Sequence, residues 1–317
     1  MAEKKTTEQN QYPWGRINFV GIAPFFVSVS GLLIVASLII LSTVKINYGI
    51  DFAGGTEIQV LFDKEKVSSQ KLREVIASIG YPQVDIQAFS EQNEYLIRFE
   101  SLHGSSESEV EQKTTKLAQD VSEGLVKSFP NENKEKLIRR IDTVGPTIGS
   151  ELKKNSLLAG FYSLVILLIY IGLRYDFKYA PSAILCLFHD AIIALALYVI
   201  LGKEVNSQTL AAILTIVGYS LNDTVVNYDR IRENSGLHRD NNLRNIMNLS
   251  VNEMLSRTIM TSFTTALSTA ALWFLAGGVI EDFAFLMLVG IIIGSYSTIY
   301  IASPLVLMFE RFQHKSA

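Results

Sequence analysis

The sequence predicts a multi-pass α-helical membrane protein with six transmembrane helices and an α+β domain between the first and second spans. The chain of 317 residues is 49% hydrophobic and only 19% charged, with a mean hydropathy of +0.26. That composition is too apolar for an ordinary soluble domain. Six long apolar runs occur along the chain, and one long polar stretch, residues 46–153, follows the first of them.

The first apolar run, residues 19–44, is long enough to cross a bilayer, since a spanning helix needs about 20 residues. Its length and the lack of a small-x-small cleavage site before Lys45 argue against a cleaved signal peptide. We therefore predict a polar tail at 1–18 and a retained span at 19–45, with Tyr12 and Trp14 near the membrane interface.

The polar stretch at 46–153 is predicted to be a small ferredoxin-like domain followed by a linker. Alternation, helical spacing and turn residues predict a strand at 55–63, a helix at 68–80 ending on Gly80, strands near 84–89 and 94–100, a helix capped by Ser106 and Glu109 that runs to about 128, and a strand at 136–145. The order β-α-β-β-α-β is that of the split βαβ unit. Residues 145–150 are predicted to link this domain to the second span. Such a fold hosts many functions and decides none of them.

Five further runs complete the predicted membrane region at 154–309. They cover about 156–173, 179–201, 207–228, 258–277 and 283–309. Residues 229–256 are predicted to form a surface loop with a weak helical pattern, and 310–317 a tail. Six spans place both termini on the same side of the membrane.

The positive-inside rule predicts which side that is. Basic residues cluster on the side of the termini: Lys4, Lys5, Arg16, Arg174, Lys178, Arg230, Arg232, Arg239, Arg244, Arg311 and Lys315. The short loops on the other side carry only Lys203. We therefore expect both termini in the cytoplasm and the domain at 46–153 facing outward.

Asp223 is the first candidate functional residue, because it lies inside the apolar fourth run. A carboxylate there costs a few kcal/mol on insertion scales. At about 3.6 residues per turn, Ser220 and Asn227 share its face, with Thr224 at the edge and Asn222 beside it. A low-dielectric site favours the neutral carboxyl group, so Asp223 can take up and release protons near neutral pH. The alternative is a structural hydrogen-bond network between helices.

Arg257 begins the fifth span, and Thr261, Thr264 and Ser268 continue along its face. We expect this stripe to form a polar wall that faces Asp223, where an arginine could modulate the carboxylate's charge. The alternative is an interfacial arginine that snorkels to the cytoplasm.

His189 and Asp190 lie about ten residues into the third span, near the predicted midplane. Counted from the cytoplasmic edge, Arg257 is shallowest, Asp223 deeper and this pair deepest. That order predicts a ladder of ionisable groups, as in proton relays. The alternative is that His189 and Asp190 satisfy each other or a neighbouring backbone.

Gly54 and Gly55, which follow Asp51, are predicted to form a turn with positive φ that enters the first strand. Because this segment connects a span to a domain, it is also a candidate hinge that transmits movement.

Several classes of function are excluded or disfavoured by the residue types. The net charge of −3 gives no indication of nucleic-acid binding. A single cysteine, Cys186, rules out an intrachain disulfide and zinc sites built on paired cysteines. No P-loop, nucleophile elbow or His-rich metal pattern is present, so we expect no enzyme, no metal site and no cofactor beyond a coupling ion.

Five segments resemble the SecD/SecF family, which belongs to the RND superfamily of transporters. YGIDFAGGTEIQV at 48–60 is similar to the signature after that family's first span, and VGPTIGSEL at 144–152 to the stretch before its second. VGYSLNDTVVNYDRIREN at 217–234 resembles the fourth-span motif of the SecF branch. FHD at 188–190 and LSRTIMTSFTT at 255–265 also fit. The resemblance covers nearly the whole chain.

The resemblance implies an accessory subunit of the Sec protein-export machinery in the bacterial inner membrane. Members of the SecF branch pair with SecD, associate with the SecYEG channel and use the proton-motive force, or sodium in some organisms. The resemblance also implies that Asp223 and Arg257 are paired. Implied partners are a SecD-like subunit in a heterodimer, SecYEG, with SecA and YajC as further candidates, the unfolded secretory protein and the lipid bilayer.

Two other functions stay open at this point. One is an RND-type half-transporter of lipids or drugs, which a domain this small argues against. The other is a passive scaffold of the export channel, which predicts tolerance to charge removal in the spans. The choice between protons and sodium, substrate binding by the domain and the stoichiometry with the channel are not determined by the sequence.

Overall fold

The computed structural model describes residues 17–63, 66–90, 93–100, 107–132, 134–175, 179–238 and 242–316. Some predictions fall outside these residues: those on Lys4, Lys5, Tyr12, Trp14, Arg16, Ser106, Lys178 and Arg239, and on the side chains of Arg311 and Lys315.

Six helices in the described residues are long and apolar enough to cross a membrane, which confirms the predicted multi-pass fold. They are α1 (Phe19–Thr43), α6 (Pro146–Arg174), α7 (Tyr179–Ile200), α8 (Ser207–Leu237), α9 (Leu243–Leu275) and a sixth span at Gly278–Glu310. The most apolar stretches of α7 and the sixth span are 56% and 50% buried, whereas those of α1, α6 and α9 are only 11% buried. The third and sixth spans therefore form the centre of the bundle, and three spans expose wide faces.

Two predicted connections are in fact helical. Residues 145–150 are the start of α6, which begins at Pro146 with Gly145 as its N-cap, so the predicted linker was wrong. Proline suits the first turn of a helix because its missing N–H group is not needed there. The predicted loop at 229–256 is mostly the continuation of α8 to Leu237 and the start of α9 at Leu243.

The sixth span is interrupted by a π-helical turn. Helix α10 covers Gly278–Ser297, the π turn Thr298–Ala302, and helix α11 Ser303–Ser316. Single π turns inside helices frequently mark functional sites. This one lies beside the polar residues of α8 described below.

A four-stranded antiparallel sheet lies between α1 and α6 in sequence, and we call residues 46–145 the sheet domain. Its elements are α2 (Ile50–Ala53), β1 (Gly55–Leu61), α3 (Ser69–Ile79), β2 (Asp85–Ser90), β3 (Glu94–Glu100), α4 (Glu107–Ser128), α5 (Lys134–Leu137) and β4 (Ile138–Val144). The strand order β2-β3-β1-β4 is that of the predicted ferredoxin-like unit.

The sheet domain has its own hydrophobic core between the sheet and the helices α3 and α4. Ile58 and Ile97 from the central strands, Leu72 and Ile76 from α3, and Val121 from α4 are fully buried in it. Helix α3 begins after the N-cap Ser68 and ends on Gly80 in the left-handed conformation, as its pattern predicts. One face of the sheet is therefore covered by α3 and α4.

Candidate functional site

A buried polar cluster joins α7, α8 and α10 around Asp190. The side chain of Asp190 is 0% exposed. Its Oδ2 accepts hydrogen bonds from the hydroxyl groups of Ser220 at 2.6 Å and Ser297 at 2.8 Å. Its Oδ1 lies 2.8 Å from Nδ1 of His189. Both carboxylate oxygens therefore have polar partners.

His189 completes this cluster, which we call the Asp190 site (His189, Asp190, Ser220 and Ser297). The side chain of His189 is 2% exposed, and its Nε2 atom is buried with no partner in the part of the chain that the structure describes. The two neighbouring side chains do meet each other, which is the structural alternative considered for this pair. The free Nε2 leaves one position open for a proton or a water molecule.

Gly294 on α10 provides the space for this contact. A Cβ atom at this position would lie 3.2 Å from Cβ of Ser220 and 3.7 Å from Oδ2 of Asp190. A side chain at this position would therefore force Ser220 to shift, and the glycine allows α8 and α10 to pack closely.

Asp223 has a different environment, on the side of α8 that faces α9. Its Oδ1 accepts a hydrogen bond of 2.9 Å from the hydroxyl of Thr258. Its Oδ2 is buried, yet has no hydrogen-bond partner among the described residues. We call Asp223 and Thr258 the Asp223 site. A buried carboxylate oxygen without a donor is a position where a proton, a cation or water can bind.

The residues of the predicted polar wall, Arg257, Thr261, Thr264 and Ser268, are exposed in the single chain. The side chain of α9 that donates to Asp223 is Thr258, which lies beside the wall. An action of Arg257 on the charge of Asp223 stays a prediction. The hydroxyl groups of Thr261, Thr264 and Ser268 donate to backbone carbonyls of the preceding turn. No ion pair within 4.0 Å joins Arg257 to Asp223, both of which belong to the described residues. We call the four residues the α9 stripe.

The residues predicted to share the face of Asp223 are distributed over several contacts. Ser220 belongs to the Asp190 site, and the hydroxyl of Thr224 lies 3.3 Å from that of Thr298 in the π turn. The Nδ2 group of Asn227 lies 3.5 Å from the backbone oxygen of Asp223, and its Oδ1 is buried without a described partner. Asn222 is exposed. Polar contacts thus follow α8 over two turns, from the Asp190 site to Asn227.

Thr258 and Thr298 were not predicted as site residues from the sequence. Thr258 follows Arg257 directly and therefore lies beside the α9 stripe. A lone threonine in a span gives no signal of its own, because it commonly bonds to its own backbone. The fifth span is rich in threonine, which indicates polar contacts. That composition does not show which of its threonines faces α8.

The signature residues Gly54 and Gly55 are required by the backbone. They have φ angles of 73° and 135°, which favour glycine. A Cβ on Gly54 would lie 3.0 Å from Cα of Pro146, and one on Gly55 only 2.4 Å from the carbonyl oxygen of Phe99. The predicted turn into β1 is confirmed, and the segment packs tightly against the start of α6 and strand β3. A hinge function for it stays a prediction.

The remaining signature residue, Asp51, reaches the bundle. Its Oδ2 accepts hydrogen bonds from the backbone N–H of Ser207 at 3.1 Å and from the Ser207 hydroxyl. Ser207 is the first residue of α8, so this carboxylate lies at the positive end of the helix that carries Asp223.

Comparison with known families gives two matches. Residues 125–312 match the model described as "Protein export membrane protein SecD/SecF, C-terminal", and residues 39–66 match the "SecD/SecF GG Motif". The second match contains Asp51, Gly54 and Gly55.

Curated relatives match over almost their whole length. "Protein translocase subunit SecF" of Calditerrivibrio nitroreducens is 40% identical over 301 residues, which cover 94% of this chain and 96% of the relative. The protein of the same name from Desulfurispirillum indicum is 37% identical, with 93% of this chain and 92% of the relative covered.

Two solved structures are similar to this chain. The crystal structure of SecDF, a translocon-associated membrane protein from Thermus thermophilus, has a TM-score of 0.79 and 36% identity over 93% of this chain. SecDF in its super-membrane-facing form has a TM-score of 0.67 over 95%. The chain spans only 39% and 40% of those SecDF chains. The family model, the relatives and the shared fold agree, and this chain belongs to the SecD/SecF family of protein-export membrane proteins.

Proposed function

We propose that the chain is the SecF-type subunit of the bacterial Sec protein translocase and couples ion movement through its spans to protein export. The observation that carries the coupling is the Asp223 site, where a carboxylate inside a membrane span has one oxygen bonded to Thr258 and one buried oxygen free among the described residues. Intramembrane carboxylates of this kind commonly serve ion pathways.

In this mechanism Asp223 binds and releases the ion, and the Asp190 site provides a second polar position deeper in the bundle. Ser220 bonds to Asp190 and lies three residues from Asp223 on α8, which is about 4.5 Å along the helix axis. Charging or neutralising Asp223 changes its attraction for Thr258 on α9. The two helices then adjust their packing, because a buried charge without partners is costly.

A second membrane half is expected beside this chain. The SecDF chain that it resembles is more than twice as long, since this chain covers 39% of it. The α9 stripe is polar and exposed in the single chain, although α9 is an apolar span. A SecD-like subunit packed against this face in a heterodimer would bury the stripe and bring Arg257 into a protein environment. The other proposed partners are SecYEG and the unfolded secretory protein, with SecA and YajC as further candidates.

The proposed location is the bacterial inner membrane, with both termini in the cytoplasm. Arg174, Arg230, Arg232 and Arg244 lie in or near the connections opposite the sheet domain. The positive-inside rule therefore favours a cytoplasmic position for that end and a periplasmic position for the sheet domain. The proton is the favoured coupling ion, and sodium is the alternative.

The test is export of a secreted precursor in cells that carry Asp223→Asn, at matched membrane level, with the proton gradient intact or collapsed. We expect the variant to behave as the wild type does with the gradient collapsed, and collapse to add nothing further. The matched control is Asp229→Asn, the same change six residues along α8, where the side chain is 50% exposed and lies 3.8 Å from Arg174. This control should export normally and still respond to the gradient.

Normal, gradient-responsive export by Asp223→Asn at full membrane level would contradict ion coupling at this residue and favour the passive scaffold. Repeating the assay with the sodium gradient varied separately distinguishes the two ions. The half-transporter of lipids or drugs is not favoured, because the curated relatives are named as subunits of the protein translocase.

A further inference from the structure

The sheet domain contacts the bundle at the start of α6, where Gly54 packs against Pro146, and at the connection between α7 and α8. The second of these contacts leads to the helix that carries Asp223. Backbone groups make the first contact: the N–H of Gly49 donates to the carbonyl of Val205 at 3.0 Å, and the N–H of Val205 donates to the carbonyl of Asn47 at 2.8 Å. Residues Tyr48 and Val205 form a parallel bridge. The segment before β1 is thereby paired to the residues just before α8.

A side-chain contact follows directly. Asp51 accepts two hydrogen bonds from Ser207, the first residue of α8. The start of this helix is itself closed by a capping box, in which Asn206 and Thr209 exchange hydrogen bonds. The first turn of α8 is therefore firmly ordered, and a group that bonds to Ser207 is fixed relative to the helix.

An ion pair makes the third contact, from the sheet itself. Arg98 on β3 makes two hydrogen bonds with the carboxylate of Glu204, one from each terminal nitrogen, and a third with Glu57 on β1 at 2.6 Å. The side chains of Arg98 and Glu204 are 15% and 13% exposed, so water screens this pair little. Bidentate arginine–carboxylate pairs of this kind are both strong and directional.

Arg98 stays charged in this setting. Burial by itself would lower the pKa of its guanidinium, but hydrogen bonds and charges from Glu204 and Glu57 outweigh burial and raise the pKa above the usual value. Arg98 therefore remains a cation for its two carboxylate partners.

The neighbouring residue Lys203 forms an ion pair of a different kind. Its Nζ lies 2.5 Å from Oδ1 of Asp282, and both residues belong to the bundle. This pair lies at the same end of the bundle, beside Glu204 in sequence, and makes no hydrogen bond or ion pair with the sheet-domain residues that the structure describes. It provides a matched control for the Arg98–Glu204 pair.

We infer that the Arg98–Glu204 pair and the Asp51–Ser207 contact transmit displacement of α8 to the sheet domain when the ion state of Asp223 changes. Helix α8 is continuous from Ser207 through Asp223 and contains no proline, so these two residues are held about 24 Å apart along its axis. Arg98 and Asp51 are positioning residues in this scheme, and Glu204 and Ser207 are the points that they hold. This inference rests on the proposed function and adds its mechanical route.

The test uses the full chain with its partner subunit in lipid nanodiscs, at constant pH, with Asp223→Asn as the mimic of the neutral carboxyl group. Amide hydrogen exchange is measured in β1, β3 and the first turns of α8, with and without Glu204→Gln. We expect Asp223→Asn to change exchange in all three segments. With Glu204→Gln added, the change in the strands should fall about fivefold or more, while that in α8 persists. Export driven by the gradient should fall similarly in Glu204→Gln cells.

Asp282→Asn is the control, since it removes an ion pair at the same end of the bundle whose two partners both lie outside the sheet domain. It should leave the response of the strands intact. Ser207→Ala is the second transmission variant, because it removes only a hydroxyl and keeps the N–H bond to Asp51. It should give a smaller reduction and serves if Glu204→Gln does not fold.

Three outcomes would overturn the inference. In the first, Asp223→Asn changes amide exchange in β1 and β3 equally with Glu204 intact and with Glu204→Gln. That result would show that the Arg98–Glu204 pair does not transmit the displacement, although ion coupling at Asp223 would stand. The same holds if Asp223→Asn impairs export but changes no exchange in the strands. If Asp223→Asn alters neither export nor exchange, the proposed function fails as well.

Discussion

The Asp190 site and the Asp223 site both place a carboxylate inside the bundle, but they satisfy it differently. Asp190 is fully buried and has three polar partners from α7, α8 and α10. Asp223 is partly buried, has one donor from α9 and leaves one buried oxygen free among the described residues.

This difference predicts that the two carboxylates contribute differently to stability and to the proposed ion coupling. A carboxylate whose oxygens are all bonded is held in place and contributes to the packing of three helices. A carboxylate with an open oxygen gains a partner whenever a proton or cation arrives, so its contacts change with the ion. The Asp190 site should therefore dominate stability, and the Asp223 site should dominate coupling.

The largest expected difference is in stability, between Asp190→Ala and Asp223→Ala. Interhelical hydrogen bonds in membranes contribute about 0.6–1.7 kcal/mol each. Asp190 accepts two such bonds, from Ser220 and Ser297, whereas its third partner, His189, is its neighbour on the same helix. Asp190→Ala should therefore lower the free energy of unfolding by about 1–3 kcal/mol, and Asp223→Ala, which loses the one bond from Thr258, by about 1 kcal/mol. Reversible unfolding of the purified chain in mixed micelles, followed by far-ultraviolet circular dichroism, measures both. Equal losses would remove the distinction between the sites.

Gly294→Ala should disturb the Asp190 site alone, with a smaller effect. The new Cβ would lie 3.2 Å from Cβ of Ser220, so Ser220 must shift slightly, which strains its hydrogen bond to Asp190. We expect a loss of about 1–2 kcal/mol, which is typical of overpacking. Gly218→Ala on α8 is the control, because nothing lies within 4 Å of its Cβ position. It should be neutral or slightly stabilising in the same unfolding measurement.

Thr258→Val should disturb the Asp223 site and leave the Asp190 site intact. It removes the donor to Asp223 at nearly constant volume, and one such bond is worth about 0.6–1.4 kcal/mol. Gradient-driven export should therefore fall about threefold to tenfold. Thr258→Ser keeps the hydroxyl and should restore export. A valine variant that exports like the wild type would show that Thr258 does not position Asp223.

Much of the fold could be predicted from the sequence, because apolar length and strand alternation report directly on spans and strands. The helix ends could not be placed as well. Beyond the membrane the apolar signal stops, although the helix does not, so α8 continues to Leu237 and α9 begins at Leu243 inside the predicted loop. Proline is common in the first turn of a helix, so Pro146 could have indicated the start of α6, although it was predicted to lie in a linker.

Most of the polar residues of the site could be predicted from the sequence, but the contacts between their side chains could not. Helical spacing correctly grouped the α9 stripe on one face, but spacing within one helix does not show which neighbour that face meets. Ser220 was assigned to Asp223, whereas the structure brings it to Asp190 across a helix interface. Such pairings depend on how helices are rotated against each other, which one sequence does not encode locally. The roles of Asp223, Arg257, His189 and Asp190 in ion coupling stay predictions.

The length of α8 has a geometric consequence. Its 31 residues make a rod of about 46 Å, longer than the roughly 30 Å hydrocarbon core of a bilayer. Asp223 lies near the middle, so a tilt of about five degrees around it moves each end by about 2 Å, in opposite directions. Shifts of that size are enough to switch a packed interface. Under the proposed coupling, a tilt of α8 around Asp223 would therefore move the residues at both ends of the helix, on opposite sides of the membrane, at the same time.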